Sequence, residues 1–139
     1  MIYTRCTEQL ALGDLHFDTD DIRLLLAMTG TTAGAEEDAL TIQTFTTLDE
    51  FDGLNYVQKA LSSKTVTKDN ANNWTVFDAG DVTWTSLGAG TRDVAAAIIY
   101  QYINGSADIP LFYLPFSKSP SGGNVTLEFN SGGIARIKV

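Results

Sequence analysis

The sequence predicts a mainly β protein, folded as one antiparallel β-sandwich or barrel-like domain with a short N-terminal helix. Short apolar and β-branched segments recur at spacings of about ten residues, and turns rich in Gly, Asn and Asp separate them. The chain has 139 residues, which is the usual size of one domain. A single β-rich domain spanning residues 1–139 is therefore expected.

The longest nearly uncharged apolar run covers residues 94–103 and predicts a central strand, because both of its faces are apolar. Further strands are expected at residues 111–116, 124–129 and 134–139, with short turns between them. The last of these strands alternates, with Ile134, Arg136 and Lys138 on one side and Ala135, Ile137 and Val139 on the other. Together the four segments predict an antiparallel meander.

At the start of the chain, residues 1–13 predict an N-terminal arm that contains a short helix over residues 3–12. Cys6 and Leu10 are four residues apart and define the apolar face of this helix. Gly13 is a natural C-terminal stop. Cys6 is interpreted as a small apolar residue of the helix. As the single cysteine, it excludes an intrachain disulfide and a multi-cysteine zinc site.

Residues 22–28 predict a buried strand, with a helix as the competing interpretation, and an acidic run precedes them. Oxygen ligands at alternating positions suit calcium. A calcium loop of the EF-hand type, however, needs glycine at its sixth position and glutamate at its twelfth, where this chain has Arg23 and Thr29. The run is therefore interpreted as a turn formed by Asx side chains, those of Asp18, Asp20 and Asp21.

Residues 30–55 predict a long loop insertion with short helical turns. Turns are expected at residues 35–38 and 47–51, and in the second one Thr47 and Glu50 have the spacing of a capping box. Irregular segments of this length tend to be functional or to fold on a partner.

Between this loop and the central strand, residues 56–61 and 64–68 predict edge strands, whose lysines protect the sheet edge. The Asn-rich turn at residues 69–73 predicts a hairpin that joins the second of them to a strand at residues 74–77. Another strand is expected at residues 82–85.

Composition and charge exclude several classes of partner. The formal net charge is -8, from 9 basic and 17 acidic residues, and this argues against binding to nucleic acid or to an anionic membrane surface. No stretch approaches the ~18 apolar residues of a membrane span. No secretory signal is visible, so a cytosol-like compartment is expected for synthesis. No cofactor is predicted.

The residues also give little basis for an enzyme. His16 is the single histidine, and no serine lies in a nucleophile-elbow pattern. Asp78 and Asp81 flank a turn glycine, and a role as solvated turn residues accounts for them. We therefore expect no catalytic residue and no metal site.

Candidate interface residues come from three parts of the chain. Tyr102 and Tyr113 are the best candidates in the β region, because tyrosine is enriched at interfaces. The N-terminal segment and the long loop add four more, namely Tyr3, Leu10, Phe45 and Phe51.

Several stretches, in this order, resemble a family of small virion structural proteins of tailed bacteriophages. The most specific is Phe77-Asp78-Ala79-Gly80-Asp81-Val82-Thr83-Trp84. The resemblance covers most of the chain except residues 30–55, and it carries no catalytic residue onto this sequence. The other matching stretches are residues 17–26, 61–67, 91–100, 110–111 and 122–134.

The resemblance implies a protein of the virion, made in the host cytoplasm, and favours a capsid decoration or cement protein on the outer lattice. Its expected partners are the major capsid protein and copies of itself, with a trimer favoured by analogy. Residues 1–12 and 30–55 are the expected contacts, and removal of residues 1–12 is expected to abolish binding while the β domain stays folded.

Two other functions remain open at this point. A tail- or fibre-associated adhesion module would read host glycan through exposed Tyr102, Tyr113 or Trp84. A small hydrolase would need His16, or Asp78 with Asp81, in a pocket.

Overall fold

A computed structural model describes residues 1–138 and shows one short helix followed by antiparallel β structure, which confirms the predicted fold class. Helix α1 covers Thr4–Leu12, and a single 3-10 turn covers Ile42–Thr44. The strands of this range are β1 (Ile22–Met28), β2 (Lys59–Ala60), β3 (Thr65–Asp69), β4 (Trp74–Asp78), β5 (Val82–Trp84), β6 (Val94–Gln101), β7 (Ile109–Lys118), β8 (Val125–Leu127) and β9 (Ala135–Lys138).

The strands form a four-stranded sheet in the order β2-β1-β6-β7, a three-stranded sheet in the order β3-β4-β9, and the pair β5-β8. The predicted central position of β6 is confirmed, as are the hairpin between β3 and β4 and the edge positions of β2 and β3. Burial alternates along β9 as expected. Val139, which the alternation also included, lies outside the described residues.

The predicted meander is wrong beyond β7. Strand β8 pairs with β5, and β9 pairs with β4. The outer edge of β7 is instead occupied by the start of the chain, where Ile2 forms a bridge with Phe112 and the Tyr3 N–H donates to the Leu111 carbonyl oxygen at 3.1 Å. Because β9 has one apolar side, it serves in an outer layer and not in a sheet buried on both faces.

Both faces of the four-stranded sheet are buried. One face packs into the main core against the two smaller sheets, with Phe17, Phe77 and Phe112 in mutual contact. The other face, with Leu25 and Ile98, is covered by residues 30–55, which we call the loop layer. The residues of the loop layer in this second core are Ala33, Ala39, Ile42 and Phe45. The predicted long loop therefore folds back on its own chain.

The helical turn predicted at residues 47–51 is wrong, because this segment runs extended beside β1. The Met28 N–H donates to the Asp49 carbonyl oxygen at 2.8 Å, and the Phe51 N–H donates to the Leu26 carbonyl oxygen at 2.8 Å. Strand β2 is only two residues long, so this segment pairs edge groups of β1 that would otherwise be unpaired. A capping box at Thr41 and Thr44 begins the 3-10 turn instead. Residues 35–38 form turns without a helix.

The N-terminal helix is confirmed, and it ends at Gly13 in the left-handed conformation with φ 78°. Tyr3 and Cys6 are fully buried, and the Tyr3 hydroxyl donates to the Ala33 carbonyl oxygen at 2.9 Å. The segment is therefore tied to both the sheet and the loop layer.

We expect Cys6 to resist alkylation by iodoacetamide at about pH 8 in the folded protein and to react after unfolding in urea, since the thiolate is the nucleophile. Burial raises the pKa of the Cys6 thiol to about 12, so the thiol stays protonated below that pH while the chain is folded. Labelling followed by intact mass measurement checks this. Equal labelling rates with and without urea would contradict the burial.

Candidate interaction site

An apolar groove of about 390 Å³ lies between the three-stranded sheet and the segment that contains α1 and the following turn. The register places its sheet residues on one face, because Val66 lies opposite Phe77 and Thr75 lies opposite Ile137. The other wall consists of Leu10 and residues 15–18. We call this cavity the sheet groove.

The rim of the sheet groove combines an exposed apolar side chain with basic residues. Val66 is 42% exposed on the edge strand β3, and Lys68 lies directly opposite the groove residue Thr75. Lys64 precedes the strand, and its ammonium donates to the Asp20 carbonyl oxygen at 2.7 Å. Asp18 lines the groove and is exposed, so the groove is an apolar surface with charges of both signs at its edge.

The opposite face of the same sheet carries charges of both signs, with Arg136 and Lys138 on the same face as Asp69 and Asp78. The Arg136 guanidinium lies 4.5 Å from the ring centroid of Trp74, which is half-buried, and its Nε donates to the Gly132 carbonyl oxygen at 2.7 Å. Lys138 is exposed beside Trp74 in the register. The three strands carry three basic and two acidic residues, so this sheet departs from the acidic character of the whole chain.

The loop layer has the opposite character, with six acidic residues and no basic residue in residues 30–55. The Thr32 hydroxyl and the Thr46 N–H hold the pKa of the Glu36 carboxyl below its usual value. Arg92, from outside the layer, pairs with Asp49 at 2.8 Å. Leu40 is 63% exposed and follows the acidic run at residues 36–38.

The structure divides the predicted interface residues into two groups. Tyr3, Phe45 and Phe51 are core residues and present almost no surface in this conformation. Leu10, Tyr102 and Tyr113 are partly exposed, and only Leu10 lies in the sheet groove.

Two of the aromatic residues considered for glycan binding are also constrained. Trp84 does not meet the exposure that the adhesion alternative would need, because its side chain is buried against the loop that follows the loop layer. One face of the Tyr102 ring is covered by the Arg23 guanidinium, 3.6 Å from the ring centroid.

The residues considered for catalysis have few contacts suited to it. His16, Asp18 and Thr75 all line the sheet groove, but within residues 1–138 no hydrogen bond joins the side chains of any two of them. The Asp81 carboxylate accepts from the Phe129 N–H at 2.8 Å, and the Asp78 carboxylate accepts from the Ala79 N–H at 2.9 Å. The Asp78 carboxylate thus stabilises a turn, and the Asp81 carboxylate joins the segment before β5 to the segment after β8.

The acidic turn ahead of β1 has a local structural role as well. The Asp20 carboxylate accepts from the His16 N–H at 2.7 Å and from the Gln101 side-chain amide at 2.9 Å. Asp21 pairs with Arg23 at 2.7 Å, and this hydrogen-bonded contact holds the pKa of the Asp21 carboxyl below its usual value. No group of three His, Cys, Asp or Glu side chains suited to a metal ion occurs in residues 1–138.

Sequence reasoning missed the sheet groove. The available signal was Val66, an apolar residue between Lys64 and Lys68 on a predicted edge strand, where the apolar side of an alternating strand needs a cover. The sequence did not show that α1 and the turn at residues 15–18 would leave that cover incomplete.

In the part of the chain that the structure describes, no helix has the length and apolar character needed to span a membrane. No protein-family model, curated protein or solved structure matches this chain.

Proposed function

We propose that this chain is a non-enzymatic structural protein of a tailed-phage virion that decorates the outer capsid lattice, with the major capsid protein and copies of itself as partners. One observation carries the proposal: residues 1–12 and 30–55, which are the expected particle contacts, lie side by side. The Thr4 N–H donates to the Glu37 carbonyl oxygen at 2.9 Å, and the Tyr3 hydroxyl donates to the Ala33 carbonyl oxygen. A lattice-binding module needs such a continuous surface on a rigid core.

The resemblance is consistent with this arrangement. Its most specific stretch, residues 77–84, runs from β4 into β5 and buries Phe77, Val82 and Trp84 in the main core. The matching residues thus build the β scaffold, whereas residues 30–55, which do not match, form one outer layer.

Charge also supports an exterior position. A net charge of -8 would be repelled by the phosphates of packaged DNA. The acidic loop layer fits a basic region of a capsid surface.

Imaging of whole virions at a resolution that traces chains tests the proposal. We expect density over the capsid lattice, with the loop layer against the lattice near Leu54, which is 74% exposed. Leu54→Asp should lower the number of copies per particle at least tenfold, because it places a charge in an apolar contact.

The matched control is Ser121→Asp, which adds the same charge in the exposed turn between β7 and β8 and should leave the copy number unchanged. Density confined to the tail or to one vertex would replace capsid decoration by the adhesion alternative. Absence of the protein from virions would overturn a virion role altogether.

The adhesion alternative loses support because Trp84 is buried and Tyr102 is covered on one face. Tyr113, the third aromatic residue of this alternative, is partly exposed and packs near Gly34 of the loop layer. Binding of the isolated protein to host-surface glycans is the result that would restore this alternative.

A further inference from the structure

We propose that Asn104 is a deamidation site that the folded chain holds unreactive, and that the Asp108 carboxylate is the group that does so. Asn104 is the only asparagine of the chain that is followed by a glycine. Because Gly105 has no Cβ, its backbone nitrogen is open to attack on the Asn104 side chain. The inference does not depend on where the protein lies on a particle.

The reaction is intramolecular, so the attacking nitrogen is always near its target. The Gly105 backbone nitrogen loses its proton to hydroxide and forms a bond to the side-chain amide carbon of Asn104. The side-chain amide nitrogen takes a proton from water and leaves as ammonia, and a cyclic imide remains. Water then opens the imide at either carbonyl carbon, which gives aspartate or isoaspartate. Overall, water is consumed and ammonia is released, and no oxidant or other reactant is needed.

The site is open to solvent. Asn104 and Gly105 are both exposed in the turn between β6 and β7, where residues 103–107 form bends. Hydroxide and water therefore reach both groups. Sequence and exposure by themselves predict rapid deamidation, so protection has to come from the hydrogen bonds of the turn.

The attacking nitrogen is held by a buried carboxylate. Asp108 is 3% exposed, and its Oδ1 accepts from the Gly105 N–H at 3.0 Å. The same oxygen accepts from the Ile103 N–H at 2.8 Å and from the Asn104 N–H at 3.2 Å. A negative charge beside the Gly105 N–H disfavours the loss of its proton, because the amide anion would be a second negative charge. Attack therefore requires that this hydrogen bond break first.

The side chain of Asn104 is held as well. Its Oδ1 accepts from the Ser106 N–H at 3.0 Å, from the Ser106 hydroxyl at 2.9 Å and from the Ala107 N–H at 3.0 Å. These are hydrogen bonds between neutral groups, whereas the bond from Gly105 to Asp108 has a charged acceptor and is the stronger kind. The bond to Asp108 therefore decides the reactivity of the turn.

Deamidation accordingly follows local opening of the turn. Segments of a folded protein open with their own free energies, which are lower than the free energy of global unfolding. The strength of one hydrogen bond to a charged group corresponds to a factor of about 10 to 150 in the population of the open turn. The folded chain should thus react more slowly than the unfolded chain by at least the lower of these factors.

The modification would weaken the loop layer, because this turn supports one end of it. The Gln43 side-chain amide donates to the Gly105 carbonyl oxygen at 2.6 Å, and the Ile42 N–H donates to the Asp108 carbonyl oxygen at 2.9 Å. Isoaspartate places an additional carbon atom in the main chain between residues 104 and 105, which displaces the acceptor of Gln43. Protection of Asn104 thus preserves the cover on the second face of the four-stranded sheet.

The rate of Asn104 deamidation in the full chain tests the inference. The chain is incubated at mildly alkaline pH, with and without enough urea to unfold it, and its proteolytic peptides are then quantified by chromatography and mass spectrometry. We expect the folded chain to react slower than the unfolded chain by about tenfold or more.

Asp108→Ala removes the acceptor of the Gly105 N–H and should raise the rate in the folded chain by about tenfold or more. Asp69→Ala is the matched control, because the Asp69 carboxylate accepts from the Ala71 N–H at 3.1 Å and organises the β3–β4 turn in a similar way. This control should leave the Asn104 rate unchanged. Circular dichroism and thermal unfolding show whether each variant is folded.

Hydrogen exchange of the Gly105 amide in the unmodified chain gives a second measurement, which applies even when Asp108→Ala does not fold. We expect this amide to exchange more slowly in the folded chain than in urea, since its hydrogen is bonded to Asp108. Exchange at the unfolded rate would mean that the turn is open.

Three deamidation results would also overturn the inference. The first is an equal rate in the folded and unfolded chains, and the second is an unchanged rate in folded Asp108→Ala. The third is a folded chain that reacts faster than the unfolded one, which would mean that the donors on the Asn104 Oδ1 activate its amide by stabilising negative charge on that oxygen.

Discussion

Replacing Trp84 by alanine should lower the free energy of unfolding by about 3–5 kcal/mol, the usual cost of truncating a large buried aromatic side chain. Trp84 is 0% exposed, its indole N–H donates to the Val57 carbonyl oxygen at 2.8 Å, and its ring stacks on Tyr56 with the centroids 6.5 Å apart. The substitution leaves both a cavity and an unpaired backbone carbonyl. Urea unfolding followed by circular dichroism measures the loss.

Trp74→Ala is the matched control, since Trp74 and Trp84 are the two tryptophans of the chain. Trp74 is half-buried on the outer face of its sheet, and the Arg136 guanidinium lies 4.5 Å from its ring centroid. Exposed cation–π contacts contribute about 0.5–1 kcal/mol, so this variant should lose about 1 kcal/mol. A similar loss in the two variants would mean that Trp84 is not the core residue described.

Deletion of residues 1–12 should abolish the cooperative unfolding transition. Tyr3 and Cys6 are fully buried, and the backbone of residues 1–3 pairs with the edge of β7. Loss of one such aromatic residue costs about 3–5 kcal/mol, and whole domains are stable by about 5–15 kcal/mol. The sequence-based expectation that the β domain stays folded without this segment therefore conflicts with its burial.

Differential scanning calorimetry of the truncated and full chains measures this effect. Leu12→Ser provides the control within α1, because Leu12 is 64% exposed and a surface substitution changes stability by about 0.5 kcal/mol or less. A truncated chain that keeps the transition temperature of the full chain would show that the segment is an appended arm.

Local patterns in the sequence were enough to predict the elements that form from local interactions. The two-sided apolar runs of β1 and β6 indicated buried strands, the Asn-rich turn indicated the β3–β4 hairpin, and Gly13 marked the end of α1. In each case the signal lies within a few residues and reflects backbone preference or side-chain period. The same signals gave the mainly β fold class.

The interaction surfaces were predictable only in part. Leu10, placed on the apolar face of the predicted helix, lines the sheet groove, and Tyr102 and Tyr113 are partly exposed. Tyr3, Phe45 and Phe51 are aromatic residues of the same kind, but they fill the two cores. Residue type cannot separate these outcomes, because an aromatic side chain is favourable both in a core and at an interface.

The sequence by itself determined which segments are strands and which apolar residues can cover a sheet face. It also determined that the chain is strongly acidic. Only the tertiary structure decided that β8 and β9 join β5 and β4, that residues 1–3 extend the edge of β7, and that residues 30–55 cover the second sheet face. The physical reason is that strand pairing and apolar cover are long-range choices among chemically equivalent partners. Closing a longer loop adds little entropy cost, so adjacency in the chain does not select the partner. The partner is selected by the simultaneous burial of both faces of the central sheet.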